Sequence, residues 1–350
     1  MKYSMKNIAK ALLGIACVTI LSCCIGPAGP PGQAGLDGDD GAAGPAGPPG
    51  ADGSSGADGM DANENCIICH NDGFDLIKKQ EQFSLSRHDS LNYGGWERAS
   101  CSPCHTHQGF TEIMATGNED ASEDLDFVLG IKCRTCHLIH TNYDMLDWGL
   151  VTSLSVDLRL GGTTADFGEK SNICINCHQA RGSYDLPVVG GDSIDVNSSH
   201  WGLHHGPESN LMLGEGGYEI AGSTSYPVDG SNSHINEGCV ICHLGQTSDH
   251  TFQPGKDACL PCHDDIDIYI GFDYEGVQTT VETALNGLST ILIAKGWLTP
   301  DGYPSINRLH ADDAGVLLNY LAISEDGSMG IHNPAYILAL LNNSLEYISP

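Results

Sequence analysis

Residues 133–144 read CRTCHLIHTNYD, which places two cysteines and two histidines within eight positions. A zinc ion accepts such ligands, a C-x-x-C pair can be redox-active, and C-x-x-C-H is the spelling of covalent haem attachment. The rest of the chain decides among them. The same spelling recurs as CIICH (66–70), CSPCH (101–105), CINCH (174–178), CVICH (239–243) and CLPCH (259–263). These six motifs use twelve of the fifteen cysteines, and the others, Cys17, Cys23 and Cys24, lie near the N-terminus. Neither a four-cysteine zinc site nor a disulfide scaffold requires a histidine directly after the second cysteine six times over.

The spacing has a chemical reason. Two thiols form thioethers to the two vinyl groups of one porphyrin, and the adjacent histidine supplies the proximal nitrogen to iron. The expected cofactors are therefore six covalently bound haem c groups. They are attached through Cys66, Cys69 and His70; Cys101, Cys104 and His105; Cys133, Cys136 and His137; Cys174, Cys177 and His178; Cys239, Cys242 and His243; and Cys259, Cys262 and His263. Ten histidines remain, at 88, 107, 140, 200, 204, 205, 234, 250, 310 and 332. Six irons need at most six distal ligands, so the supply exceeds the need, and bis-histidine ligation is the economical expectation. Two imidazoles close the sixth position and favour lower potentials than a His/Met pair.

His140 lies three residues beyond His137. On a helix the two would occupy neighbouring positions of one face, and His140 cannot reach round to the far side of its own porphyrin, so it is expected to cap a different haem or none. In SSHWGLHHGPESN (198–210), His200 and His204 are one helical turn apart, and His205 competes with His204. His88, His234 and His250 lie between attachment motifs, and His332 precedes a C-terminal helix. His107, two residues past a proximal histidine, is expected at the surface or against a propionate. His310 is left open between helix surface and spare ligand.

The first 24 residues read as a lipoprotein signal: three lysines by position 10, an apolar run from Ala9 to Leu21, and ILSC ending at Cys23, with Cys24 as the slipped alternative. The run is short for a membrane span, and a simple secretory signal is the competing reading. An acyl anchor buries methylenes and holds a protein that otherwise has no span. Residues 25–61 form a collagen-like Gly-X-Y stalk, with glycine at every third position from Gly26 to Gly59 and six prolines at X and Y. Only glycine fits the axis of a triple helix. The stretch has almost no apolar side chains, so it is a spacer whether it trimerises or not. Residues 62–263 form the six-haem region and 264–350 a C-terminal helical region packing on the haems. Helices are expected over 284–297 and 311–324. A third is best marked: Asn333 caps it, Pro334 sits at N1, and Tyr336, Ile337, Leu340, Leu341, Leu345 and Ile348 form its apolar face. Across 62–263 the sequence shows no protein-only core, so the haems are expected to serve as the core. The fold class is mainly α with much irregular loop, a multihaem cytochrome c wrapped around a packed six-haem array.

The formal charge is −30, from 15 basic and 45 acidic residues. That balance repels nucleic acid and anionic headgroups and suits cationic partners or ferric species.

The segments CSPCHTHQGF, CRTCHLIH, HWGLHHGPESNLMLGEGGYE and DGSMGIHNPAYILALLNNSL carry a resemblance. Over residues 66–350 the chain resembles the secreted and outer-surface multihaem c-type cytochromes of metal-respiring bacteria. Its closing segment is similar to that of the cytochrome c nitrite reductase superfamily, in which a histidine before a long helix ligates a haem. The resemblance implies distal ligands among His88, His140, His200, His204, His205, His234, His250 and His332. It also implies haem-to-haem electron transfer to metal oxides or redox partner cytochromes, at the outer membrane surface or outside the cell, with the periplasmic face as alternative. A homo-oligomer or filament is a variant in which an inter-subunit haem takes its histidine from the next protomer. The nitrite reductases typically replace one motif histidine by lysine at the catalytic haem; every motif here ends in histidine, which favours a carrier over an enzyme. A multihaem reductase of a small oxyanion or sulfur species is the rival, and it requires an open iron.

Overall fold

The computed structural model describes residues 66–67, 69–70, 76–89, 95–263 and 272–349. The signal and stalk expected over 1–24 and 25–61 lie outside the described residues. Helices there are short until the C-terminus: α1 (Leu76–Ser84), α2 (Ser102–His105), α3 (His107–Thr116), α4 (Cys133–Cys136), α5 (Asn172–Ile175), α6 (Glu208–Leu213) and α7 (Gly238–His243). Three longer ones follow, α8 (Val277–Ala294), α9 (Ala311–Asp326) and α10 (Pro334–Ile348). Among the described residues, sheet is confined to two antiparallel pairs. β1 (Val156–Asp157) pairs with β2 (Thr164–Ala165), and β3 (Ser193–Val196) with β4 (Asn307–His310). The register Ser193↔His310 to Val196↔Asn307 ties the middle of the chain to the entry of α9. The fold is thus mainly helical with little sheet. Among the described residues no helix is long and apolar enough to cross a membrane.

The third expected helix forms as its residues dictate. Asn333 accepts from the Tyr336 amide at 3.2 Å, Pro334 opens the first turn, and Tyr336, Ile337, Leu340, Leu341 and Ile348 are buried. α8 begins seven residues before its expected start and buries Val281, Leu285, Leu288 and Leu292, one stripe at helical spacing. α9 is buried on nearly every side, which hides its amphipathic period. At Gly315 the approach is closest, since a Cβ there would enter the Tyr218 ring.

The expectation of a body without its own core is corrected by this packing. Val196, Trp201, Leu203, Leu211, Tyr218 and Ile220 join α8, α9 and α10 in one apolar cluster. Each fully buried Leu or Ile contributes about 1.5–3 kcal/mol. Apart from Val196 at the end of β3 and Leu211 on the short α6, the middle-chain contributors sit in loops at irregular spacing, so no hydrophobic period announces them. Two smaller clusters lie under the motifs: Leu158, Ala165, Phe167, Ile175 and Met212 beside Cys239, and Phe110, Ile113 and Ile173 beside Cys136, Cys174 and Cys177.

Buried asparagines join these loops to the helices. Asn319 on α9 accepts from the Tyr218 amide at 2.6 Å and donates to the Tyr218 carbonyl at 2.8 Å and to Ser344 Oγ at 3.0 Å. Asn319→Ala leaves the Tyr218 amide unpaired in the core and its carbonyl with the Ile220 amide as remaining partner. At about 1–3 kcal/mol per orphaned group, it is expected to destabilise the protein by roughly 2 kcal/mol in guanidinium unfolding. An unchanged midpoint would show that the network is not structural.

Candidate functional site

The C-x-x-C-H spelling folds as a single helical turn. The amide of the motif histidine donates to the carbonyl of the first cysteine in five motifs: His70 to Cys66 (2.7 Å), His105 to Cys101 (3.3 Å), His137 to Cys133, His178 to Cys174 and His263 to Cys259 (2.9 Å each). The remaining motif lies within α7. One turn brings residues i and i+3 onto the same side of the helix, so the two thiols of each motif share a face and the histidine follows directly. Gly238, which opens α7, has φ +62°, and a side chain there would collide with the Phe167 carbonyl and Ser171.

Each motif histidine faces a second histidine from elsewhere in the chain. The ring centroids lie 6.3 Å apart for His70 and His140, 6.1 Å for His178 and His88, and 6.1 Å for His105 and His204. They are 6.2 Å apart for His137 and His250, 6.4 Å for His263 and His234, and 6.2 Å for His243 and His332. A metal–imidazole bond of about 2 Å on each side of a single ion sets two ring centroids roughly 6 Å apart. The interplanar angles range from 30° to 90°, so ring stacking does not explain the common distance.

The His140 loop differs from the expected helix. α4 ends at Cys136, His137 is extended (φ −116°, ψ 151°), and His140 takes φ +64°. The chain then doubles back: the Leu138 amide donates to the Gly149 carbonyl and the Val151 amide to the Cys136 carbonyl, both at 2.9 Å. Asp147, buried beneath the loop, accepts from the amides of His140 (2.7 Å), Asn142 (2.6 Å) and Tyr143 (3.1 Å). Desolvation opposes the carboxylate, yet these backbone bonds hold its pKa below the usual range. His137 and His140 therefore point into different histidine pairs, and a reverse turn rather than a helical face separates them.

The other facing histidines have equally definite supports. Lys79 on α1 donates to the carbonyls of Thr247 (2.9 Å) and Ser248 (2.7 Å), and the His250 amide donates to Gln82 Oε1 (3.3 Å). α1 thereby positions both His88, just beyond its end, and the His250 loop. His234 sits in a turn capped by Asn232, while His332 directly precedes the Asn333 cap of α10.

The second ring nitrogens select the tautomer. Nδ1 is within hydrogen-bond distance of a backbone carbonyl in His137 (Trp148, 2.8 Å), His243 (Phe252, 2.9 Å), His234 (Ile331, 2.7 Å) and His250 (Ser248, 2.8 Å). A carbonyl only accepts, so Nδ1 carries the proton and Nε2 keeps its lone pair for a metal. His332 Nδ1 lies 2.5 Å from Asp326 Oδ1. Burial, helped by neighbouring histidines, lowers His88 to about 4; burial with Arg181 and His205 does the same to His204. Both are neutral near pH 7, the state that can bind metal.

These groups line a cavity of about 2130 Å³ that reaches five of the six motifs. A single small-molecule site occupies about 300–1,000 Å³, so the space suits several large groups. The twelve motif cysteines form no disulfide. Among the described residues no three His, Cys, Asp or Glu side chains converge as a metal site. Facing imidazoles with paired thiols fit a macrocycle that brings its own equatorial nitrogens.

Of the expected distal candidates, His88, His140, His204, His234, His250 and His332 are brought to a motif histidine. His200 is not; it is exposed, beside Ser199 and Tyr303. The helical turn expected to carry both His200 and His204 is absent, since Gly202 and Gly206 take φ of +122° and +106°. His205 pairs with Glu325, His107 Nδ1 lies 3.1 Å from Thr135 Oγ1, and the His310 ring caps α9. Asp147, Asp326, Glu208 and Arg181 surround the pairs without any motif in the sequence to mark them.

No protein-family profile matches the sequence, and no curated protein does. Among solved structures, the chain is similar to the outer cell wall cytochrome OcwA, at 20% identity and a TM-score of 0.50 over 77% of this chain and 50% of that one. It is also similar to an undecahaem cytochrome from the S-layer of Carboxydothermus ferrireducens, at 20% identity and a TM-score of 0.46 over 76% of this chain and 39% of that one. The chain spans half or less of each. At this identity the likeness to the first is one of fold.

Asp147→Ala removes the acceptor for three amides that hold His140 at positive φ. Amide hydrogen exchange across 138–148 is expected to accelerate by at least tenfold, while exchange in α8–α10 stays unchanged. Because the Asp147 pKa is depressed, its support is present above the ordinary carboxyl value of about 3.9. It is lost only as the pH falls through the lower, folded-state value. Unaltered exchange at neutral pH would show that the loop holds without the carboxylate.

Proposed function

We propose that the chain is a six-haem c-type cytochrome and an electron carrier. The observation that carries this reading is the set of six facing histidine pairs, each joining one motif histidine to one non-motif histidine at 6.1–6.4 Å. When bound, haem c supplies the equatorial nitrogens and a one-electron Fe(III)/Fe(II) couple. The chain supplies the rest. Each motif turn presents two thiols and a proximal imidazole on one face, and a second segment supplies the opposing imidazole. Backbone carbonyls hold the tautomer, and the apolar clusters under the motifs exclude water.

The pairing favours a carrier over a reductase. A reductase needs an iron position open to substrate, whereas every motif histidine here has an opposing ring. Motif turns in contact favour passage of electrons between neighbouring sites: Cys104 Sγ lies 3.8 Å from the Asn176 carbonyl within the 174–178 turn, and the Val240 amide of the 239–243 turn donates to Ser171 Oγ, just before 174–178, at 3.3 Å. These contacts set the turns at 101–105, 174–178 and 239–243 in a row. On this reading a lipid at Cys23 and the stalk over 25–61 hold the body outside the membrane, and its acceptors are extracellular metal oxides or redox partner cytochromes. The net charge of −30 suits ferric species and basic partners. A filament of repeated subunits extends the same design, with no change in its ligands.

Intact mass of the purified protein is expected to exceed the processed polypeptide by six haems, with no motif thiol free after denaturation. His204→Ala is expected to turn one haem in six high-spin and able to bind carbon monoxide, whereas His200→Ala leaves all six low-spin. Fewer than six haems, or stoichiometric zinc, would overturn the reading.

A further inference from the structure

Two buried charges of opposite sign stand at opposite ends of the row of motif turns. At one end, Asp326 has a fully buried side chain and lies 2.5 Å from His332 Nδ1. It is the last residue of α9, where the helix dipole disfavours a negative charge. Besides the histidine, its partners are the hydroxyl and, at 3.3 Å, the amide of Ser328. An isolated buried carboxylate is costly, so its place beside an opposing imidazole calls for an account. Glu208 adds a second carboxylate nearby, with Oε2 3.4 Å from His178 Nδ1.

The other end has the reverse arrangement. Arg181 lines the cavity near His105 and His204, and its buried Nη1 has no hydrogen-bond partner among the described residues. His105 Nδ1 is likewise buried and unpartnered, so no carboxylate strengthens that ring. The other charges facing this site are His205 and Glu325, which pair with each other, and Arg159, which pairs with Asp120. Arg181 also lines a neighbouring cleft with Glu119, Asp120 and Asp185, none of which bonds its buried Nη1.

Resting on the haem reading above, we propose that Asp326 and Arg181 polarise the row, so that the His243/His332 site has a lower reduction potential than the His105/His204 site and electrons run from the first to the second. Asp326 acts as a positioning residue through His332. A carboxylate accepting from Nδ1–H makes the imidazole a stronger donor and stabilises the oxidised metal. Arg181 acts through space, where its charge favours the form that has gained an electron. No bond forms or breaks: one site loses an electron and the other gains it. The turn carrying His178, which meets its neighbours through Asn176 and through Ser171 just before it, is the intermediate position.

The test is a spectroelectrochemical titration of the full holoprotein and three variants. Asp326→Asn is expected to raise the midpoint of one-sixth of the absorbance change by at least tenfold in equilibrium constant, about 59 mV for a one-electron couple. Arg181→Gln is expected to lower the midpoint of a different sixth. Ser328→Ala, which takes a hydroxyl donor away from the Asp326 carboxylate, is expected to lower the same midpoint and carries the acidic end of the test if Asp326→Asn fails to assemble. Midpoints unmoved in variants that retain six low-spin haems, or shifts of the opposite sign, would overturn the proposal. A wild type holding fewer than six haems by mass would instead overturn the haem reading.

Discussion

A recurring geometric constraint organises the body: a motif turn presenting two thiols and an imidazole must meet one imidazole from elsewhere at a fixed distance. Six such meetings occur within 6.1–6.4 Å. Short helices suffice because each has only to make a single turn. The long connections between them are then committed to delivering opposing rings. This accounts for a mainly helical fold whose middle is nonetheless largely irregular. Irregular chain can place a ring where a continuous helix would carry it past.

Such connections need internal partners, and buried polar side chains provide them. Asp147 gathers three amides under the His140 turn, Asn319 holds both backbone groups of Tyr218, and Asn333 caps α10 while donating to the carbonyls of Leu211 and Met212. Each replaces the hydrogen bonds that a regular element would have made for itself. The three long helices act as a rigid back wall. Their apolar cluster fixes the segment from Trp201 to Ile220, and with it the position of His204, while α9 and α10 bracket Asp326 and His332.

Charge is distributed unevenly around the paired rings. The chain as a whole is acidic, but few of its charges are buried among the histidines, and those few differ in sign along the row. Asp326 stands at one end, Glu208 beside the central His178, and Arg181 at the other end. A buried charge is screened less than a surface one, so these side chains bear more strongly on the pairs than the surface charge does.

The sequence by itself determined the local chemistry. The spelling C-x-x-C-H fits one helical turn and one set of donors. Asn333 with Pro334 marks a helix start, and the apolar period of α10 is legible because one face of that helix meets solvent. A surplus of histidines over motifs was also countable in advance. What only the tertiary structure decided is which histidine meets which motif. His88 lies 90 residues from His178, and His140 faces a motif that precedes it by 70. No periodicity encodes such partnerships, because they depend on reverse turns such as the one Asp147 holds and on loops pinned to the helical wall. His200 and His204 look equivalent in the sequence, yet Gly202 turns the chain between them, and only His204 reaches a ring. Asp326 is likewise silent in sequence, an acid at the end of a helix, until the fold brings His332 against it.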